Sequence, residues 1–225
     1  MHVFPVLLLV LSGSVLSVTD TSLAIDLVGM TPNGDLLAWH EKGLTGAGET
    51  ERFVIAKTMD LSPTDIFIIS NPLTATTTNK AKSIKVAKQK IKSLGIKSGR
   101  GTQEVDDIYG NYRELAFTAR LYLKVSPSRQ EYNLEVYDEM SGRTRIVATD
   151  KMPTDDPSVL GAFTIKQARL SRDRSTCAVV VEQSYELDGK HTVDKLYTFM
   201  VFSAPPPEMP TPGGLPPPGS SPPPR

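Results

Sequence analysis

Apolar and polar residues alternate along most of the chain between residues 24 and 204, and this period of two predicts strands. In the clearest case, 115–125, apolar residues at every second position are separated by Arg120, Tyr122 and Lys124, so we expect one half-buried strand there. The same reasoning predicts further strands at 24–30, 35–41, 65–70, 132–136, 144–149, 163–170, 175–187 and 196–202.

Short turn sequences separate several of these segments. The chain reads Pro32-Asn33-Gly34, Ser141-Gly142 and Asp188-Gly189 at three of the junctions, and Asn-Gly or Asp-Gly pairs are typical of tight β-hairpins. The last strand, 196–202, is apolar on both faces, so we expect it in the middle of a sheet. This pattern predicts a hairpin-rich antiparallel sheet or sandwich.

A weak internal repeat links two of the predicted hairpins. The segment from Met30 to Ala38 aligns without gaps on the segment from Leu170 to Ala178. Each copy has an apolar residue, a hydroxyl residue, an Asn or Asp two positions later, two turn residues, and a strand with Ala at the same place. Propeller blades use such turns, which a side-chain acceptor closes. Two copies are too few for a propeller, so we expect only propeller-blade-like hairpins, arising by duplication or by chance.

One segment, 79–96, departs from the strand pattern. Its apolar residues recur at steps of three and four, and Gly95 follows as a stop signal, which indicates one amphipathic helix in an α+β protein that is mainly antiparallel β. The polar faces are unusually basic, which makes them candidates for binding an anion. A merely solvated face is the alternative, because lysine suits an exposed helix. The candidate residues are Lys80, Lys82, Lys85, Lys88, Lys90 and Lys92.

The two ends of the chain differ from its middle. Residues 3–11 are almost wholly apolar but too short to cross a bilayer, which needs about 20 residues, so they match the core of a secretory signal peptide. We predict a signal peptide 1–17 that is cleaved after Ser17, or alternatively after Ala24, although no Lys or Arg precedes the apolar run. Residues 205–225 include 11 prolines and are expected to be a disordered polyproline tail, either a spacer or a ligand for an aromatic groove.

Composition narrows the class of protein further. The 25 Lys and Arg residues equal the 25 Asp and Glu residues, so overall charge gives no reason to expect nucleic-acid binding. The sole cysteine, Cys177, excludes an internal disulfide and lies in an apolar run, as a buried strand thiol does. No second long apolar run follows the signal segment, so we predict a secreted or periplasmic domain, 24–204, without a transmembrane anchor in the mature chain.

Several segments occur in an order that resembles a known family. They are, in order, the segment 28–43, the glycine-rich loop up to Glu49, the segment 65–70, the Ala- and Lys-rich helix, and the segment 178–202. Together they resemble a family of predicted secreted bacterial proteins defined by a domain of unknown function, over most of 25–203. The family has an acidic pair where Trp39-His40-Glu41 keeps one acid. The resemblance implies export and a shared fold, but no activity, cofactor or catalytic residue.

The sequence contains no recognisable catalytic constellation. The glycine-rich loop lacks the Lys and hydroxyl residue of a phosphate-binding loop, and His40 and His191 have no His or Cys at metal-ligand spacing. We therefore predict no metal site and no cofactor, and we favour a non-enzymatic binding or scaffold protein of the cell envelope, whose partner is an envelope protein or an anionic polymer. The alternatives are a secreted hydrolase with a loop-built site, and an anion-binding module that uses the lysine-rich helix.

Overall fold

The computed structural model describes residues 20–45, 48–71, 80–96, 102–104, 112–116, 119–154 and 156–201. The predicted signal peptide and the proline-rich tail lie outside these residues. The described elements are the strands β1 (Thr21–Met30), β2 (Leu36–Thr45), β3 (Gly48–Lys57) and β4 (Pro63–Ser70), the helix α1 (Lys80–Ser93), and the strands β5 (Thr102–Glu104), β6 (Tyr112–Ala116), β7 (Ala119–Val125), β8 (Glu131–Asp138), β9 (Arg143–Lys151), β10 (Ala162–Ser171), β11 (Thr176–Glu186) and β12 (Lys190–Met200).

The strands form two sheets. Sheet A has the order β4-β3-β2-β1-β12-β11-β10-β5, and sheet B has the order β6-β7-β8-β9. Strands β1 and β12 run parallel, whereas the other neighbouring pairs are antiparallel. The predicted α+β class with mainly antiparallel sheets is therefore confirmed.

Sheet A is nearly divided at its centre, where β1 meets β12. The two strands pair over only three residues, Thr21 to Leu23. Beyond them, side chains replace backbone partners: the Ile25 N–H donates to Asp194 Oδ2 at 2.7 Å, and the Leu27 N–H donates to Gln167 Oε1 at 2.8 Å. Because a buried N–H without an acceptor is costly, these two contacts let the strands separate without leaving β1 unsatisfied.

Strand β11 separates two of the three hydrophobic cores. Cys177, Val179 and Val181 on one face pack in the core that includes sheet B. Ala178 and Val180 on the other face pack with residues of β1, β2 and β3. The third core lies between the opposite side of β2 and β3 and the helix α1. β12 lies inside the sheet, as its apolar sequence predicts, but β11 is the strand that is buried on both faces.

The predicted helix is confirmed, and its end has a clear physical cause. Gly95 has a φ of +73°, a conformation that glycine adopts readily. Its neighbour Ile96 donates its N–H to the Ile91 carbonyl at 3.2 Å, which closes the last turn. Ala87 and Ile91 are buried, so this face holds the helix against sheet A.

The two segments of the sequence repeat adopt the same turn. In the first, the Leu36 N–H donates to Thr31 Oγ1, and in the second the Thr176 N–H donates to Ser171 Oγ, both at 3.0 Å. The turns also touch each other, because the Asp173 N–H donates to the Pro32 carbonyl at 3.3 Å. The two predicted hairpin turns are therefore in contact with each other in the folded protein.

Two strand predictions need correction. The segment 115–125 is not one strand, because the chain reverses between β6 and β7, which pair with each other in an antiparallel register. The sequence offers no Gly, Pro, Asn or Asp at 117–118 to signal this reversal. Strand β3 was not predicted either: β2 continues through the expected glycine-rich loop to Thr45, and β3 begins at Gly48.

Candidate functional site

The structure divides the predicted lysine site into two groups. Lys80 and Lys90 form ion pairs with sheet A: Lys80 Nζ lies 2.6 Å from Glu51 Oε2, and Lys90 Nζ lies 3.6 Å from Asp65 Oδ2. Lys82 also has an interaction partner. Lys80 and Lys90 fasten α1 to the sheet, so part of the predicted site has a structural role.

The remaining lysines form what we name the basic stripe: Lys85, Lys88 and Lys92. Their spacing of three and four residues places them on one helix face, which differs from the face of the buried Ala87 and Ile91. All three are exposed, and none of them forms an ion pair within the part of the chain that the structure describes. The basic stripe is therefore available to an anion.

A buried polar cluster supports the start of the helix. Glu51, whose side chain is 11% exposed, accepts a hydrogen bond from His40 Nε2 at 2.9 Å in addition to its ion pair with Lys80. The His40 ring stacks on Phe53 with 4.3 Å between centroids. Burial alone would raise the pKa of Glu51, but the hydrogen bonds and charges of Lys80 and His40 outweigh it and lower the pKa. Glu51 is thus held as a carboxylate.

A pocket lies elsewhere, where the β7–β8 turn meets the β11–β12 hairpin. It has a volume of about 480 Å³ and is broad rather than enclosed. Neither His40 nor Glu51 lines it. The lining residues are Arg129, Ser158, Val159, Leu160, Gly161, Ala162, Ser184, Tyr185, Glu186 and Lys190.

Glu51, His40 and Cys177 do not have the properties of catalytic groups in a hydrolase. A general acid at neutral pH needs a raised carboxyl pKa, whereas the pKa of Glu51 is lowered. His40 is committed to Glu51 and Phe53, away from the pocket. Cys177 is fully buried, and this burial raises the pKa of its thiol, which is the opposite of what a nucleophile needs.

The other candidate groups have local structural roles. His191 is held by Thr21 and by the Leu187 carbonyl, and Asp156 accepts hydrogen bonds from Ser158 within its own loop. Within the described ranges, no three His, Cys, Asp or Glu side chains form a group able to hold a metal ion. No helix in those ranges is long and apolar enough to span a bilayer.

Sequence reasoning identified the lysines but missed the acids that divide them. Glu51 and Asp65 lie on β3 and β4, far from α1 in the chain, and no local pattern reveals such a pairing. The pocket was also missed, because its walls come from three separate segments.

The molecule is thus a mainly antiparallel α+β protein whose helix has a basic face without an ion pair among the described residues. Comparison with known proteins adds no relative: no family model, curated protein or solved structure matches this chain.

Proposed function

We propose that this chain is an exported, non-enzymatic binding protein that holds an anionic polysaccharide of the cell envelope on its basic stripe. The observation that carries the proposal is the division of the helix lysines. Some lysines fix α1 to sheet A, and this leaves Lys85, Lys88 and Lys92 exposed on a rigid support.

The arrangement favours a polymer over a membrane surface. By the rise of 1.5 Å per residue, Lys85 and Lys92 are about 10 Å apart along the helix axis, which is enough to contact successive charges of a chain. A membrane-binding helix places Trp, Phe or Leu beside its cationic face. Here the large exposed apolar residue of the helix, Val86, lies on a different face from the stripe.

The test compares heparin binding by the folded wild-type chain and by a triple variant, Lys85→Gln, Lys88→Gln and Lys92→Gln. Glutamine and lysine have similar helix propensities, so α1 should persist. At about 1 kcal/mol for each lysine near an anionic surface, the three losses together weaken binding by more than about 100-fold at low salt. Screening makes the loss smaller at 0.15 M salt, where we still expect about tenfold weaker binding.

A matched control removes three charges elsewhere. The variant Lys42→Gln, Lys57→Gln and Arg172→Gln changes exposed residues of sheet A and its turns. It should bind heparin almost as well as the wild type. Equal losses in the two triple variants would refute a role for the stripe, and binding to anionic vesicles without binding to heparin would refute the choice of a polysaccharide.

Export is a separate part of the proposal, supported by the apolar segment 3–11 and by the resemblance to predicted secreted bacterial proteins. Cleavage after Ser17 leaves β1 whole, because this strand begins at Thr21. Cleavage after Ala24 removes all three residues of β1 that pair with β12. N-terminal sequencing of the exported chain is therefore expected to give Val18, and an intact Met1 on cytosolic protein would contradict export.

A further inference from the structure

We propose that the pocket between the β7–β8 turn and the β11–β12 hairpin binds one carboxylate-bearing sugar of monosaccharide size, such as a uronic acid. This inference concerns a different surface from the basic stripe and stands independently of it. The volume of the pocket, about 480 Å³, is within the range of about 300–1,000 Å³ that is usual for small-molecule sites.

The wall of the pocket is fixed by close backbone packing. The Gly161 N–H donates to the Arg129 carbonyl at 2.9 Å. A Cβ at Gly161 would lie 2.6 Å from Met152 Sδ and 2.8 Å from the Arg129 oxygen, so only glycine fits. Arg129 itself has a φ of +56°, which is uncommon outside glycine. Positive φ values at residues other than glycine are often found at binding sites. The positive φ of Arg129 places the β7–β8 turn against the wall of the pocket.

The polar groups of the pocket favour an acidic ligand. Arg129 and Lys190 line it together with one acid, Glu186, and neither cation forms an ion pair within the described residues. Lys190 and Glu186 are opposite each other in the β11–β12 register, yet they do not bond. Within the lining, two cations are set against one carboxylate, so a ligand carboxylate would pair with a cation that Glu186 does not neutralise. Asp20 lies behind this edge, where its Oδ1 accepts from the Lys190 N–H at 3.0 Å.

Tyr185 supplies the apolar part of the site. Its ring stacks on His191 with 4.8 Å between centroids, and His191 is held by Thr21 Oγ1 at 2.5 Å and by the Leu187 carbonyl at 2.7 Å. This makes Tyr185 a supported aromatic surface within a set of charged and hydroxyl groups. A sugar acid has an apolar ring face, hydroxyls and a carboxylate. These match the aromatic ring, the hydroxyl groups and the cations of the pocket, respectively.

The test is a titration of the isotope-labelled chain with glucuronate, glucose and acetate, followed by amide chemical shifts. With glucuronate, we expect saturable shifts at Gly161, Tyr185 and Lys190. Glucose lacks the carboxylate and acetate lacks the sugar ring, so we expect each to bind at least about tenfold more weakly.

Variants assign the binding to the pocket. Lys190→Gln and Arg129→Gly should each weaken glucuronate binding about fivefold or more, and glycine keeps the left-handed turn at residue 129. Arg172→Gln, an exposed charge change outside the pocket, should leave affinity unchanged. Shifts that fail to saturate, equal affinity for glucose, equal affinity for acetate, or full affinity in both pocket variants would each overturn the proposal.

Discussion

Asp194 is the residue whose loss should most clearly separate the two halves of sheet A. Its side chain is fully buried, and Oδ2 accepts from the Ile25 N–H and from Lys166 Nζ, each at 2.7 Å. The carboxylate therefore joins β12 to β1 and to β10 at the point where β1 and β12 stop pairing. We predict that Asp194→Ala destabilises the fold, and that Asp194→Asn does so much less.

The magnitude follows from the groups left without a partner. The Ile25 N–H would lose its acceptor in a site that excludes water, which costs about 1–3 kcal/mol. Lys166 would lose its ion pair, but its side chain is 31% exposed and can rehydrate, so this part adds about 0–1 kcal/mol. We expect about 1–4 kcal/mol for the alanine variant. Asparagine retains an acceptor for the Ile25 N–H, so we expect about 1 kcal/mol there.

Urea unfolding followed by tryptophan fluorescence measures this difference. Trp39 is the single tryptophan of the chain, and it is 7% exposed in the core that β1 shares with β11. Amide exchange at Ile25 should accelerate in the alanine variant and change little in the asparagine variant. Equal losses of stability in both variants, or a loss below about 1 kcal/mol in the alanine variant, would show that the carboxylate does not join the strands.

Three further predictions concern other contacts. Gly34→Ala should destabilise the protein by about 1 kcal/mol more than Gly142→Ala in urea unfolding: both glycines have positive φ, but only at position 34 would a Cβ meet Thr176, at 2.6 Å. Glu51→Gln should lower the free energy of unfolding by about 1 kcal/mol at pH 7. The pKa of Glu51 is lowered in the folded state, so its contribution is present above the unfolded pKa and is lost as the pH falls through the folded pKa. The difference between the variant and the wild type should therefore disappear as the pH falls below about 4. An unchanged cost at low pH would contradict that reasoning. Cys177 should resist thiol reagents until the protein unfolds, because the thiol is buried and its pKa is raised, and rapid labelling of the native chain would disprove its burial.

Local signals in the sequence were sufficient for most elements. The three- and four-residue steps of Ile84, Ala87 and Ile91, with Gly95 behind them, gave the helix because helical contacts are close in the chain. The hydroxyl residues Thr31 and Ser171 marked two turns because each side chain bonds to a backbone N–H only five residues later. The β6–β7 reversal was missed because Phe117 and Thr118, which stand between the two strands in the sequence, are residue types that favour a strand.

The candidate sites depended on contacts that are remote in the chain. Six lysines are visible in the sequence, but only the folded structure shows that Glu51 and Asp65 pair with Lys80 and Lys90, whereas the basic stripe has no ion pair in the part of the chain that the structure describes. The pocket likewise requires three remote residues to meet: Arg129 of the β7–β8 connection, Gly161 of the β9–β10 connection, and Lys190, the first residue of β12.

The sequence alone therefore determined the class of the protein, its helix, most of its strands and the repeated turn, because hydrophobic period and turn chemistry act over a few residues. The tertiary structure decided which charges are neutralised, which strand is buried on both faces, and where Asp194 bridges β1 and β12. Those outcomes depend on contacts between residues that are remote in the chain, such as Ile25 and Asp194, and no local pattern encodes a distance between such residues.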